Sequence, residues 1–208
     1  VKANWYDEPL AMYQLALVFR ERKLYRLSIL CANRVAKLAS QTYSSDTPKF
    51  IRRLMYPVYY SDLVIPQAEK RNLDPALIFA LILQESLYDA TAQSHANARG
   101  LMQIIPPTGI EIANDLGEAN YTHDYLSLPH HNIEFGTWYL RKIMTMLDEN
   151  QTASLAGYNA GPGRVQGWLQ VSDDMDVFYV MVPFSESRTY IRRISTHLAA
   201  YREIYGEK

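Results

Sequence analysis

The chain has 208 residues, enough for one domain of ordinary size plus a smaller appendage, and it can bury a hydrophobic core without disulfides or metals. Its 21 basic and 22 acidic residues nearly cancel, which argues against a nucleic-acid partner, since such a protein favours a basic excess on one face. The single cysteine, Cys31, excludes an intrachain disulfide and leaves a cysteine/histidine zinc site without ligands.

The sequence contains no membrane-spanning pattern, because no apolar run approaches the ~20 residues that cross a bilayer. Its first residues, "VKANWYDEPL", lack the basic segment followed by an apolar segment that marks a secretory signal. We therefore expect either a cytosolic protein or a mature fragment whose export signal has been removed.

The first predicted elements are two helices. Apolar residues recur at helical spacing over 8–22 and again over 24–39, which predicts a helical hairpin. The turn-forming run "SQTYSSDTP" at 40–48 predicts a linker. Because two helices alone cannot bury their apolar faces, we expect them to pack on the rest of the chain or to end a longer helical array. The predicted division is a hairpin and linker at 1–48 and a second domain at 49–208.

The next strong signal is the run "DPALIFALILQESLYDA" at 74–90. Asp74 followed by Pro75 predicts a helix start, since Asp caps free N–H groups and Pro at the first position loses no hydrogen bond. We expect this helix to run to about Tyr88.

Glu85 lies at the end of the apolar stripe of that helix, three and four residues after Ile82 and Leu81. A carboxyl group placed there is partly desolvated, which raises its pKa and suits a general acid. A Glu at a helix end is more often a solvated boundary residue, so this stretch alone leaves both interpretations open.

Three later segments carry further candidates. "ARGLMQIIPPTG" at 98–109 offers Gly100 for close backbone approach and Gln103 as donor and acceptor, or is an ordinary loop leading into a helix. "AGYNAGPGRVQGW" at 156–168 is either a tight helix–helix corner with a Gly cap or a site for its Tyr-Asn pair. In "VPFSESRTYIRRI" at 182–194, Glu186 and Arg188 are either functional or a solvated ion pair.

The remaining elements also favour helix. Helical patterns extend over 107–116, 131–149, 152–158, 163–170 and 187–205. Strand-like alternation is scarce, and the best strand candidate is "MDVFYVMVPF" at 175–184. We therefore predict an all-α fold, or nearly so.

Together, five segments resemble the soluble lytic transglycosylases, lysozyme-like enzymes similar to glycoside hydrolase family 23 that cleave bacterial peptidoglycan. These segments are "QESLYDATAQS", "ARGLMQIIPPTG", "HNIEFGTWYL", "LAGYNAGPGRVQGW" and "PFSESRTYIRRI", in family order over about residues 50–205. The resemblance implies a lysozyme-like catalytic domain with a deep cleft, preceded in larger members by a helical superhelix of which the hairpin would be the end. It also implies export to the periplasm or cell envelope and peptidoglycan glycan strands as the partner. No calcium-loop pattern is present, and no metal or other cofactor is expected.

The resemblance assigns roles by motif. The Glu of the "ES" motif, here Glu85, would be the catalytic acid and then base, and Ser94 and Tyr158 would hold its carboxyl group by hydrogen bonds. The expected substrate-binding residues are Met102, Gln103, Ile105, Asn159 and Glu186. Ile105 stands where relatives often carry a second Met. Asn97-Ala98 and Ala90 stand where many relatives have Gly-Ala and Pro, which affects only turn geometry.

The expected reaction needs one carboxyl group instead of the usual two, because the nearest second carboxylate, Asp89, is expected to be a turn or cap residue. Glu85 would protonate the glycosidic oxygen, the muramyl 2-acetamido group would assist, and the sugar's own 6-hydroxyl would close a 1,6-anhydro ring. The alternatives are a muramidase that hydrolyses the same bond, a non-catalytic wall-binding scaffold and a helical interaction protein built on the hairpin.

Overall fold

A computed structural model of the chain describes residues 5–39, 47–170 and 175–206. The described residues form eleven α-helices: α1 (Pro9–Glu21), α2 (Tyr25–Leu38), α3 (Lys49–Met55), α4 (Ser61–Arg71), α5 (Pro75–Ser86), α6 (Pro106–Leu116), α7 (Pro129–Met146), α8 (Gln151–Ala160), α9 (Pro162–Leu169), α10 (Met175–Met181) and α11 (Ser185–Tyr205). Short 3-10 helices cover Trp5–Asp7 and His123–Ser127. In these ranges β structure is limited to two isolated bridges, so the all-α prediction is confirmed. Of the helices described, none is both long and apolar enough to cross a bilayer.

The segment 175–184 is not a strand, and that prediction is wrong: the structure forms α10 there, followed directly by the start of α11. Of residues 177–184, Phe178 and Val182 are the buried ones, and they lie four positions apart, which is the spacing of one helical face. Val180 between them is 71% exposed. The apolar residues therefore resembled a strand in composition, although within 177–184 the residues that enter the core are the pair at helical spacing.

The predicted hairpin of α1 and α2 is present and packs on the rest of the molecule. Ser28 on α2 donates a hydrogen bond of 2.8 Å to the carbonyl of Ala16 on α1, and both residues are fully buried. Tyr25 stacks on Tyr59 with ring centroids 3.9 Å apart. Ala16 belongs to the same hydrophobic cluster as the apolar face of α5, so the hairpin and the rest of the described chain share one core. Residues 40–46 of the predicted linker lie outside the described ranges, and the boundary after residue 48 stays a prediction.

Helix α5 begins where the sequence predicted it. The Asp74 carboxylate accepts a hydrogen bond of 2.8 Å from the backbone N–H of Ala76, which satisfies one of the free donors of the first turn. Every residue from Leu77 to Leu83 is buried, so this helix is the apolar centre of the molecule, with α11 packed along it.

The helix ends at Ser86, two residues earlier than predicted, because Leu87 and Tyr88 adopt left-handed backbone angles with φ of 52° and 63°. Tyr88 is 1% exposed, and its hydroxyl donates to the carbonyl of Pro57 at 2.6 Å and lies 2.9 Å from the hydroxyl of Tyr201 on α11. Left-handed angles are unfavourable for such residues, so the buried Tyr88 anchor compensates for the strain of the turn. This turn fixes the depth of the last turn of α5, which carries Glu85.

A second, smaller hydrophobic cluster lies beneath the loops that follow α5 and α6. It contains Ile104, Ile112, Ala113, Leu126 and Phe135. Tyr139 and Tyr158 pack against both clusters, and a cleft that both residues line opens at this junction.

Candidate active site

The cleft between the two hydrophobic clusters has a volume of about 720 Å³. It gathers side chains from the end of α5, the loop that follows, the start of α6, and the α8–α9 corner. Six of the residues predicted from the sequence line it: Glu85, Ser94, Gln103, Ile105, Tyr158 and Asn159. Eight further lining residues were not among the predicted site residues: Ala98, Ile104, Thr108, Tyr139, Ala160, Gly161, Gly163 and Arg164. Met102 and Glu186 lie elsewhere.

Glu85 occupies the last turn of α5 at the base of the cleft. The residue as a whole is half-buried, but its carboxyl group is withdrawn from water, and this desolvation raises its pKa from 4.5 to about 7. A hydrogen bond from the hydroxyl of Tyr190 to Oε1 of Glu85 acts in the opposite direction and lowers the pKa. The carboxyl group is therefore partly protonated at neutral pH, as a general acid requires.

Tyr190 is the contact of Glu85 that the sequence motifs did not reveal. It lies on the second turn of α11, is buried, and has its pKa raised well above 10 by burial and by the nearby Glu85 charge, so it remains a neutral donor. The signal that could have found it is its spacing, since it follows Glu186 by four residues and so shares a helical face with it.

Tyr158 lies beside the carboxyl group on α8 but bonds elsewhere. Its hydroxyl donates a hydrogen bond of 2.9 Å to the carbonyl of Met102, and its ring meets Tyr139 edge to face with centroids 5.5 Å apart. Burial and the nearby Glu85 charge raise the pKa of Tyr158 well above 10, which places the phenol in the electrostatic environment of Glu85. In this structure Tyr158 joins α8 to the loop below the cleft, and the direct hydrogen bond to Glu85 comes from Tyr190.

Ser94 is held in a tight loop on the cleft wall. Its Oγ accepts a hydrogen bond of 3.1 Å from the N–H of Ala98, and its own N–H donates to the carbonyl of Ala98 at 3.0 Å. Asn97 completes the loop with a φ of 59°. Ser94 therefore lines the same cavity as Glu85, with its Oγ bonded to the backbone of its own loop.

Gln103 presents one end of its amide to the cleft. Its Nε2 donates to the carbonyls of Ala92 at 3.1 Å and Gly100 at 2.9 Å, which uses both amide protons. The oxygen Oε1 is then the atom that remains for a ligand in the cleft. Ile105 is 41% exposed at the lip of the cleft, immediately before α6.

Met102 supports the cleft from below instead of lining it. The residue is fully buried, and its sulfur packs against Gly136 on α7 so closely that a side chain at that glycine would clash. Its N–H donates at 2.7 Å to Oδ1 of Asn132, a buried residue of α7. The Asn132 Nδ2 donates to the carbonyls of Arg99 and Leu126, each at 2.8 Å. This one amide therefore fixes the loop that carries Gln103.

Asn159 and Glu186 extend the site beyond the main cavity. The Oδ1 of Asn159, at the end of α8, accepts a hydrogen bond of 2.7 Å from Ser187 on α11. Asn159 also borders two adjoining depressions of about 390 and 290 Å³, and Glu186 lines both. Glu186 is exposed on the first turn of α11, so the two residues lie along one continuous wall.

Asp89 has the turn role predicted for it. Its Oδ1 accepts hydrogen bonds from the N–H of Thr91 at 3.0 Å and from the Thr91 hydroxyl at 2.8 Å, and its Oδ2 lies 3.5 Å from Arg26 on α2. Across the described ranges, no group of three His, Cys, Asp or Glu side chains is arranged to hold a metal ion.

Comparison with known proteins places these residues in a family. The family model described as "Transglycosylase SLT domain" matches residues 62–178, more than half of the chain. The soluble lytic murein transglycosylase of Escherichia coli is 34% identical over 157 residues, which is 74% of this chain and 24% of that protein. The membrane-bound lytic murein transglycosylase C of Actinobacillus pleuropneumoniae is 30% identical over 171 residues, covering 70% of this chain and 46% of that protein.

Solved structures agree with the sequence relatives. The 70 kDa soluble lytic transglycosylase of Escherichia coli matches with a TM-score of 0.83 and 29% identity over 96% of this chain and 31% of that chain. An inactive mutant of the lytic transglycosylase Slt from Pseudomonas aeruginosa matches with a TM-score of 0.78 and 27% identity over 98% of this chain and 31% of that chain. The chain thus spans about a quarter of the length of the soluble curated relative and under a third of the solved chains.

Proposed function

The chain belongs to the transglycosylase SLT family, and we propose that it is a lytic transglycosylase that cleaves the β-1,4 bond between N-acetylmuramic acid and N-acetylglucosamine of peptidoglycan. The observation that carries this proposal is the carboxyl group of Glu85, which has a pKa of about 7 at the base of a cleft. Of the described residues that line this cleft, Glu85 is the one carboxylic acid. A single acid that is protonated near neutral pH suits a reaction in which one group first donates and then accepts a proton.

In the first step, the Glu85 carboxyl group protonates the glycosidic oxygen as the bond to the muramyl anomeric carbon breaks. General acid catalysis of this kind contributes about 10²–10⁴-fold and is most effective when the pKa lies near the working pH. The developing positive charge at the anomeric carbon is stabilised by the oxygen of the sugar's own 2-acetamido group, as in substrate-assisted glycosidases. No second carboxylate is then needed as the nucleophile.

In the second step, the ionised Glu85 removes the proton of the muramyl 6-hydroxyl, and that oxygen forms a bond to the anomeric carbon of the same sugar. The product is a 1,6-anhydro ring, and Glu85 regains its proton for the next turnover. The attack is intramolecular, so it gains from proximity and consumes no water. The Tyr190 hydrogen bond to Oε1 supports the first step, in which Glu85 gives up its proton, because it stabilises the ionised form of Glu85.

Residues of the cleft walls bind the glycan strand. We assign Oε1 of Gln103, the amide of Asn159 and the carboxylate of Glu186 to sugar contacts, with Ile105 as an apolar contact at the lip. Ser94 and Tyr158 are assigned to the acid's surroundings. Such an enzyme acts in the cell envelope, where peptidoglycan is located.

Product analysis tests the proposal. Purified sacculi are digested with the protein, and the released muropeptides are weighed by mass spectrometry. We expect anhydro ends, each lighter than a reducing end by one water. Glu85→Gln is expected to abolish release while the fold is retained, and Glu69→Gln, at an exposed carboxylate on α4, serves as the matched control. Reducing ends would instead identify a muramidase, and no release by the unmodified protein would favour a wall-binding scaffold.

A further inference from the structure

A second groove, on a different part of the molecule from Glu85, lies where α1, α3, the 57–59 segment and the end of α11 meet. Its volume is about 550 Å³, and it shares no lining residue with the cleft that contains Glu85. Three cations and three aromatic rings line it: Arg20, Lys49, Arg53, Phe50, Tyr59 and Tyr205. We refer to it as the basic–aromatic groove.

The groove is positively charged, although the chain as a whole is nearly neutral. The whole chain has a net charge of −1, yet no acidic side chain is among the described residues that line the groove. On α3, Arg52 forms two hydrogen bonds with the Glu203 carboxylate, at 2.6 and 2.7 Å. Its neighbour Arg53 instead lies over the ring of Tyr205, 5.9 Å from the centroid. Within the described ranges, Arg20, Lys49 and Arg53 belong to none of the ion pairs, so no described carboxylate neutralises their charge.

The rings of the groove are held in place and partly exposed. Phe50 is 55% exposed and is fixed edge to face against Tyr13, with centroids 5.6 Å apart. Tyr59 stacks on Tyr25, and the Tyr205 hydroxyl donates at 2.9 Å to the carbonyl of Tyr56. Fixed aromatic faces lose little conformational entropy on binding, and such rings pack well against the apolar faces of sugars.

A ligand that fits this groove combines flat apolar faces with negative charge. Peptidoglycan has both, since its sugar rings offer apolar faces and its stem peptides carry carboxylates. We propose that the basic–aromatic groove is a second, non-catalytic binding site for peptidoglycan, in which the rings contact the sugars and Arg20, Lys49 and Arg53 pair with stem-peptide carboxylates. The proposal rests on the proposed function for the identity of the polymer.

A second contact has a specific physical effect on a polymeric substrate. Exposed charge pairs are individually weak, each contributing about 0–1 kcal/mol. A strand or a sacculus that is held at the groove nevertheless presents its other sugars to the cleft at high effective concentration, which raises overall avidity. The effect vanishes for a soluble fragment too short to reach both sites. The groove therefore acts on sacculi and not on small muropeptides.

The test measures binding and turnover separately. Binding to purified sacculi is measured by co-sedimentation in the full chain carrying Glu85→Gln, so that the polymer is not consumed. The groove variant combines Arg20→Ala, Lys49→Ala and Arg53→Ala. The control combines Arg22→Ala, Lys37→Ala and Arg192→Ala, which removes the same charge from exposed cations outside both sites. Far-ultraviolet circular dichroism and thermal melting confirm that both variants fold.

We expect the groove variant to bind sacculi at least about tenfold more weakly than the control. Turnover is measured in proteins that retain Glu85. There, the groove variant is expected to cleave a soluble tetrasaccharide muropeptide at an unchanged rate, while its rate on sacculi falls. On sacculi stripped of stem peptides, the groove variant and the control should bind alike, whereas Phe50→Ala should weaken binding to both kinds of sacculus.

Equal binding of intact sacculi by the groove variant and the control would overturn the proposal. Equally tight, groove-dependent binding of inorganic polyphosphate would also overturn it, because the groove would then be a general polyanion site. Since the binding arm uses an inactive variant, it remains decisive even if the unmodified protein yields no anhydro products.

Discussion

The hydroxyl of Tyr190 on α11 donates a hydrogen bond to Oε1 of Glu85 on α5. This contact brings together residues that are far apart in the sequence and sets the acid between two opposing influences. Desolvation raises the pKa of Glu85, and the Tyr190 hydrogen bond lowers it, with a net value of about 7. The acid is therefore balanced between its two forms at neutral pH, which suits a group that must donate and accept a proton in one turnover.

Tyr190→Phe tests this balance. Removing the hydroxyl takes away the interaction that favours the ionised form, so the pKa of Glu85 should rise further, by about one unit for a charge-assisted hydrogen bond. The fall of kcat/KM on the alkaline side should move to higher pH by the same amount, and kcat at neutral pH should drop. The measurement is a pH–rate profile on soluble muropeptide. Tyr179→Phe is the control. It removes a hydroxyl on α10 that donates to the Arg188 carbonyl on α11, and it should leave the midpoint of the alkaline fall in kcat/KM unchanged. An unmoved midpoint in Tyr190→Phe would contradict the assignment.

Stability should also depend on pH through Glu85. Its pKa is about 7 in the folded protein and 4.5 as the ordinary value, so between these pH values the folded state binds more protons than the unfolded state. This contribution to the free energy of unfolding is therefore complete below about pH 4.5 and is lost as pH rises through about 7.

Glu85→Gln has no such titration, so it should gain stability over the unmodified protein as pH rises, by on the order of 3 kcal/mol above pH 7. Urea denaturation of both proteins at several pH values from 4.5 to 8 measures the difference. A difference that is constant across this range would show that Glu85 is solvated.

Tyr158→Phe should reduce activity far more than stability. The lost hydrogen bond to the Met102 carbonyl costs about 1–2 kcal/mol of unfolding free energy. The loss of a phenol beside Glu85 should lower kcat per folded molecule by more than about tenfold. Paired measurements of unfolding and of initial rates decide the matter. If the variant unfolds while catalysis per folded molecule is unchanged, Tyr158 is purely structural.

Asn132 should be a position at which small changes have large structural effects. The three hydrogen bonds of its buried side chain hold the loop under the cleft, so Asn132→Ala should cost about 2–4 kcal/mol of unfolding free energy. Asn132→Asp should be no milder, because it points a carboxylate at the carbonyls of Arg99 and Leu126. Thermal melting provides the measurement, with Asn114→Ala at an exposed position on α6 as the control. Equal melting temperatures for Asn132→Ala and the control would refute this role.

Local chemistry in the sequence predicted the helical fold and the elements of the site that depend on neighbouring residues. The Asp74 cap and the Asp89 turn need only the next few residues, and both are present. The position of Glu85 at the end of an apolar stripe predicted a raised pKa, and the structure gives the same direction.

What the sequence could not supply depends on contacts across the fold. The spacing of Tyr190 from Glu186 places both residues on one face of α11, but the contact of Tyr190 with Glu85 depends on the packing of α11 on α5, which that spacing does not predict. Met102 looked like a groove residue because its neighbours are, but its side chain is the one that turns inward against Gly136. The strand prediction for 175–184 was wrong because it followed the apolar composition of the segment and not the four-residue spacing of Phe178 and Val182.

Helix α11 supports the acid through two contacts. Tyr190 donates a hydrogen bond to Glu85 directly, and Tyr201 bonds the hydroxyl of Tyr88, the anchor of the turn that ends α5. The family match ends at residue 178, before α11 begins. A protein trimmed to that limit would keep every residue of the "ES", "GLMQ" and "YNAG" motifs and still lose both supports. We expect such a truncation to leave Glu85 open to water with an ordinary carboxyl pKa, so the minimal functional unit is longer than the motifs that define it.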